Sequence, residues 1–232
     1  ETASTYRLQL RGPGADPSGR AFGFAEAVQR IPYLRSLGVS HLYLSPIFTA
    51  MPDSNHGYDV LDPTEINPQL GGIDGLRTLA AEAKEAGLGL IADIVPNHVG
   101  VEVPHYNRWW WDVLKHGQES EYASFFDIDW HEDNGAGGKL GMPVLGKEGD
   151  ETELRLVHLP AEEFPAGMAP EGEDVLAYFD KYFPLRPGSY DSIDDDPQEV
   201  YARQAYRLMF WRDGVISYRR FFSVNGLCLL YT

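Results

Sequence analysis

The stretch LGLIADIVPNHV, residues 88–99, decides the fold. Its aliphatic run carries one acid, Asp93, and ends abruptly in Pro96, Asn97 and His98. A continuous aliphatic segment bounded by turn residues reads as a parallel strand buried on both faces. The residues before it supply the partners such a strand needs. TYRLQL, residues 5–10, is a first strand stopped by Gly12, Pro13 and Gly14. Phe24, Ala27, Val28, Ile31, Leu34 and Leu37 recur at helical spacing up to Gly38, with Pro32 expected to kink or split the helix. VSHLYLSP, residues 39–46, is a second strand, and a second helix runs from Asp74 through Leu76, Leu79, Ala80, Ala83 and Ala86 to Gly87. Strand, helix, strand, helix, strand is the pattern of right-handed crossovers in an α/β parallel sheet. Ligands sit beyond the carboxyl ends of such strands, so Pro96, Asn97 and His98 stand where binding or chemistry belongs.

After His98 the alternation stops for more than a hundred residues, until VISYRRFF at 215–222 offers another strand. A structureless loop of that length is improbable, so residues 100–214 are expected to form an inserted subdomain between the βα units of 1–99 and a closing segment, 215–232. One helix within it is marked: Asp196 as cap, Pro197 at the first helical position, Glu199 at capping-box spacing, and Tyr201, Ala205, Leu208 and Met209 as an apolar face.

Composition excludes several classes. A net charge of −16 repels phosphate backbones and anionic lipid, so nucleic acid is not an expected partner. No apolar run approaches the roughly 20 residues a membrane span needs, and no basic-then-apolar leader opens the chain. A single cysteine, Cys228, forms no internal disulfide, which fits a reducing, cytoplasmic setting. The start at Glu1 points to a processed or partial chain.

Among candidate residues, His98 can donate to and accept from a hydroxylated ligand, or be satisfied by its own loop. Asp93, inside an aliphatic strand, must find donors, and structural pairing is its favoured role. Asn97 either ties down the loop or offers an oxygen to a hard cation. SNHGYDVLDP, residues 54–63, places His56, Tyr58, Asp59 and Asp62 beyond strand two. A tyrosine face with acids and a histidine around it suits a sugar; the plainer reading is a rigid glycine turn. NRWWWDVLKHG, residues 107–117, reads as core for at least two of its tryptophans, with a sugar platform open for the third. FDIDWHEDNG, residues 126–135, fails the EF-hand pattern and reads as a solvated acidic loop. Arg219 and Arg220 suit surface pairing or a ligand contact. No dinucleotide or phosphate-loop motif is present, and Cys228 has no activating neighbours.

DIVPNH at 93–98 and GYDVLDP at 57–63 resemble conserved regions of the α-amylase superfamily, glycoside hydrolase family thirteen. Together with HLYLSPI, NRWWWDVL, FFDIDW and YRRFFSVNGL they resemble its maltooligosyltrehalose synthase branch, from Thr5 to Leu227. Ser223, where that branch has an aspartate, and the terminal CLLYT depart from the pattern. The resemblance implies the N-terminal part of a (β/α)8 TIM barrel with a long subdomain inserted after strand three. It implies a maltooligosaccharide substrate, no cofactor and no metal. Tyr58 would stack on the sugar, Asp62 shape the pocket, His98 bond a primary hydroxyl, and Asp93 with Asn97 hold the loop. It also implies that the catalytic carboxylates follow later strands, so residues 1–232 would bind without turning over. An α-glucan hydrolase or a non-catalytic carbohydrate-binding protein are the alternatives.

Overall fold

The computed structural model describes residues 3–12, 22–212, 214 and 217–222. The chain divides into two compact units, Glu1–Gly100 and Val101–Thr232. In the first, β1 (Thr5–Leu8), β2 (His41–Leu44) and β5 (Gly89–Ala92) form a parallel sheet in the order β1-β2-β5. Helices α1 (Phe24–Ser36) and α2 (Gly72–Glu85) make the crossovers. A hairpin of β3 (Phe48–Ala50) and β4 (Val60–Ile66) follows β2. It goes unforeseen in the sequence because Pro63 and the acids of GYDVLDP break strand alternation.

Leu42 and Leu44 of β2 pack with Leu8 of β1 against Phe24, Ala27, Ile31 and Leu34 of α1 and Leu79 and Ala83 of α2. Each fully buried leucine or phenylalanine of that set contributes about 1.5–3 kcal/mol, so this layer fixes which face of the sheet turns to the helices. Pro32 does not split α1; it only removes the N–H that would reach the preceding turn. The expectation that 88–95 is buried on both faces is corrected: Ile91 is 40% and Ile94 44% exposed. The reason is position: among the described residues β5 is an end strand of its sheet, and Ile94 lies beyond its last residue.

The second unit is mixed. Helix α3 (Arg108–His116) is capped by Asn107, whose Oδ1 accepts from the Trp109 and Trp110 amides at 3.1 Å. β6 (Phe126–Ile128) is followed by β7 (Leu140–Leu145), β8 (Arg155–Leu159), β9 (Glu173–Tyr178) and β10 (Lys181–Pro184). Helix α4 (Pro197–Ala202), β11 (Tyr206–Phe210) and β12 (Tyr218–Phe222) complete it. β8, β9 and β10 form an antiparallel sheet, β11 lies parallel to β7, and β12 runs antiparallel to β6. The side chains of Arg219 and Arg220, together with Ser223 and Cys228, lie outside the described residues.

Two expectations change here. All three consecutive tryptophans are buried, at 7%, 0% and 3%, so none is a platform. Trp110 packs on Phe126 and Tyr218, while Trp111 donates from Nε1 to Glu173 at 3.0 Å. The helix at 196–209 is also shorter than its apolar spacing suggests. Asp196 caps it through the Gln198 amide, but Leu208 and Met209 belong to β11. YRLMF begins with strand-like alternation, Tyr206 and Leu208 inward and Arg207 outward, and pairing with β7 prevails over the helical period.

His105 is 4% exposed, ringed by Tyr106, Trp111, Phe164 and Tyr182, and its Nδ1 has no hydrogen-bond partner among the described residues. Burial pushes its pKa down from 6.5 to about 4. The unfolded chain therefore takes up a proton between these values that the folded chain refuses. The stabilisation is whole above pH 6.5 and is lost as pH falls towards 4. We expect wild type to lose up to ~3 kcal/mol more than His105→Phe across that window, read by urea unfolding at several pH values. Parallel pH profiles for the two chains would contradict this.

Candidate functional site

The parallel register aligns Arg7 of β1 with Tyr43 of β2 and Tyr43 with Ile91 of β5. These residues face away from the helices, because their neighbours Leu8, Leu42 and Leu44 face towards them. Asp93, two residues beyond Ile91, projects to the same side just past the carboxyl end of β5. Its amide still pairs with the Leu44 carbonyl at 3.0 Å, so the backbone is ordered where the strand ends.

Three groups converge on the Asp93 carboxylate. Tyr58 donates its hydroxyl to Oδ2 at 2.6 Å and Tyr43 donates to the same oxygen at 3.0 Å. The Arg7 guanidinium lies 3.5 Å from that oxygen and donates to the Tyr58 hydroxyl at 2.9 Å. Arg7 also stacks over the Tyr43 ring, 4.9 Å from its centre. Hydrogen bonding to Tyr58 pushes the Arg7 pKa up, and the bond to Asp93 raises the Tyr43 pKa above 10.0. With the Asp93 side chain 16% exposed, this carboxylate is substantially desolvated, and its donors offset the penalty. Tyr58 itself remains 39% exposed, so its hydroxyl is tied down while part of its ring stays open.

The loop carrying Tyr58 is braced locally. Ser54 accepts from the Gly57 amide at 2.9 Å and donates to Asp59 at 2.5 Å. His56 accepts the Tyr58 amide at 3.0 Å and its ring stacks near that of Tyr58, centres 5.9 Å apart. Asp62, in β4, accepts from the Thr64 amide and hydroxyl at 2.8 and 2.5 Å, an arrangement that shapes the strand. His98 approaches Asn97, Nδ1 to Oδ1, at 2.9 Å. An amide oxygen only accepts, so Nδ1 is the donor in this contact. Among the described residues no three His, Cys, Asp or Glu side chains gather as metal ligands would.

The structure thus brings Tyr58 and Asp93 together directly, joins Asn97 to His98, and turns Asp62 to Thr64. Arg7 and Tyr43 belong to the same cluster and were missed. Their signal was available: in YRL and HLYL they occupy the face opposite the leucines, a polar residue where a barrel interior would lie.

The sequence profile of the alpha-amylase catalytic domain matches residues 18–147, more than half of the 232 residues. The chain belongs to the alpha-amylase family. It is 49% identical, over 224 residues, to the Mycobacterium tuberculosis protein assigned as maltooligosyl trehalose synthase, covering 97% of this chain and 26% of that protein. The solved maltooligosyltrehalose synthase of Arthrobacter ramosus is similar with a TM-score of 0.75 and 43% identity, over 97% of this chain and 26% of that one. Bacillus subtilis intracellular maltogenic amylase is 41% identical over 101 residues, 44% of this chain and 16% of that protein. The chain spans about a quarter of the length of the first of these relatives. The fold is the N-terminal part of a (β/α)8 barrel with a long segment inserted after strand three, and Asp93 lies at the end of that strand.

Replacing Asp93 with Asn removes the negative charge that holds the Tyr43 proton while Arg7 stays near. We expect the Tyr43 titration to move back down towards 10.0, followed by ultraviolet absorbance against a Tyr43→Phe control. An unmoved midpoint would contradict the assigned bond.

Proposed function

We propose that this chain is the opening part of an enzyme that converts the reducing-end α-1,4 linkage of a maltooligosaccharide into an α,α-1,1 linkage. The reaction is an intramolecular transglucosylation in trehalose biosynthesis. The observation that carries the reading is the extent of the likeness: 97% of this chain aligns with the synthase, against 44% with the maltogenic amylase. The second unit is therefore accounted for by the synthase reading. Residues 100–214 are proposed as the subdomain inserted at the third βα connection, and 215–232 as the approach to the fourth strand. A cytoplasmic location belongs to the same reading.

In this scheme the open face of Tyr58 stacks on the sugar next to the scissile bond, and its hydroxyl is kept in register by Asp93. His98 bonds the primary hydroxyl, Asn97 sets its tautomer, and Asp62 shapes the turn beneath. A carboxylate attacks the anomeric carbon while a carboxylic acid protonates the leaving oxygen. The released glucose then turns, and its own anomeric hydroxyl captures the glycosyl enzyme. Residues 1–232 hold no Arg-x-Asp run of the kind that carries the nucleophile in this family, so this stretch supplies binding groups and the carboxylates lie elsewhere. The match to a maltogenic amylase favours one second reading, hydrolysis of the same α-glucan class.

The test is product analysis with maltopentaose. Residues 1–232 alone should form neither a trehalose-ended nor a shortened product. A chain extended through the family's carboxylates should form a non-reducing product, whereas newly released reducing sugar would support the hydrolase. In that longer chain, Tyr58→Ala and His98→Ala should each lower kcat/KM by about 10- to 100-fold, or ~1.4–2.8 kcal/mol of transition-state binding. Unchanged kcat/KM for both would refute the pocket.

A further inference from the structure

The second unit carries a cleft that the reaction scheme does not use. It is about 410 Å³ in volume and lies on the antiparallel sheet of β8, β9 and β10. The pairing places Arg155, Ala177 and Tyr182 in one row across the three strands. Ala177, on the central strand, offers only a methyl group, so the row is a trough walled by Arg155 and Tyr182, two strand spacings or roughly 10 Å apart. The wall at Tyr182 is fixed from behind by Trp111, Phe164 and His105, whose ring centre is 5.3 Å from that of Tyr182.

At the tip of the β9–β10 hairpin stands Phe179, which also lines the cleft. It is 70% exposed and has φ +53°, in the first central position of a two-residue turn that normally takes glycine or asparagine. A bulky aromatic held in that conformation and presented to solvent is costly on both counts, which points from the outlier to a ligand. The polar lining is of the hydroxyl-binding kind. Glu163 and Arg155 provide an acceptor and donors. Aromatic faces beside planar hydrogen-bonding groups match a neutral polyhydroxylated chain; the acids and the net charge of −16 disfavour an anionic one.

We propose that this trough is a second α-1,4-glucan site, in which sugar rings lie along Ala177 between Tyr182 and Arg155 under Phe179. The choice of glucan rests on the function proposed above, whereas the site stands on its own geometry. Its test is affinity electrophoresis of the 232-residue chain through gels containing soluble starch. Phe179→Asn, which suits the turn and removes the ring, should weaken retardation at least fivefold. Ala177→Leu, which fills the trough, should do the same. Adding Tyr58→Ala to Phe179→Asn should remove what remains. Retardation unaffected by Phe179→Asn and Ala177→Leu but abolished by Tyr58→Ala would overturn the cleft and leave the barrel site intact. Retardation lost with Phe179→Asn but untouched by Tyr58→Ala would support the cleft and count against the barrel site. Equal retardation by a soluble β-1,4-glucan would overturn the α-glucan assignment.

Discussion

The carboxylate of Asp93 is the constraint around which the polar face of the first unit is organised. A largely desolvated anion at a strand end is unfavourable by several kcal/mol unless donors reach it. Those donors come from sequence positions far apart, Arg7, Tyr43 and Tyr58, so satisfying one charge fixes three segments at once. Strand pairing makes this possible. Because side chains alternate, the register that sends Leu8, Leu42 and Leu44 to the helices sends Arg7 and Tyr43 the other way. A one-residue slip of β2 would put Tyr43 among leucines and Leu42 beside Asp93, a double penalty that protects the register.

The loop bearing Tyr58 is held from a second side. Arg11, with φ +70°, points its guanidinium at the Pro46 and Phe48 carbonyls beneath the hairpin. Gly57 passes so close that a Cβ there would come within 2.2 Å of Arg11 Nη1, and its own φ is +80°. Glycine is therefore required next to Tyr58 for both space and backbone conformation. Burial lowers the Arg11 pKa, while the charge of Asp59, in the same loop, opposes that shift. Clamped by Arg11 on one flank and by Asp93 through the phenol, the Tyr58 ring is pre-oriented, which reduces the ordering cost when a sugar stacks on it.

The first unit was legible because its signals are local and agree. Apolar spacing fixes two helices, Gly38 and Gly87 stop them, and aliphatic runs mark the three strands. What escaped was relational. Arg7 and Tyr43 are ordinary strand residues until the register sets them beside Asp93. The second unit hides its strands for a related reason: they are three to six residues long, and β6 and β7 pair with the distant β12 and β11. At 205–209 the apolar residues satisfy a helical period over too few turns to decide, and the Leu208–Met142 pairing settles the matter. The three tryptophans were equally ambiguous, since a helix presents consecutive residues in three directions. All three are buried because packing covers every side of α3 except the one that carries Arg108, Asp112, Lys115 and His116.

That packing also bears on the cleft of the second unit. His105 completes an aromatic shell with no hydrogen-bond partner for Nδ1 among the described residues, an expense that a phenylalanine would avoid. Its ring nevertheless forms the backing of Tyr182, the wall of the trough. With a neutral imidazole the shell is an apolar support for Tyr182. A proton on that ring would put an uncompensated charge among Trp111, Phe164 and Tyr182, and the least costly relief is to open the shell towards water. Tyr106 and Tyr182 are the partly exposed members of that shell, whereas Trp111 is buried and anchored to Glu173 by its indole nitrogen. The contact that places His105 in this shell thus also joins it to the wall of the cleft, so one buried ring serves both the packing of the second unit and the support of Tyr182.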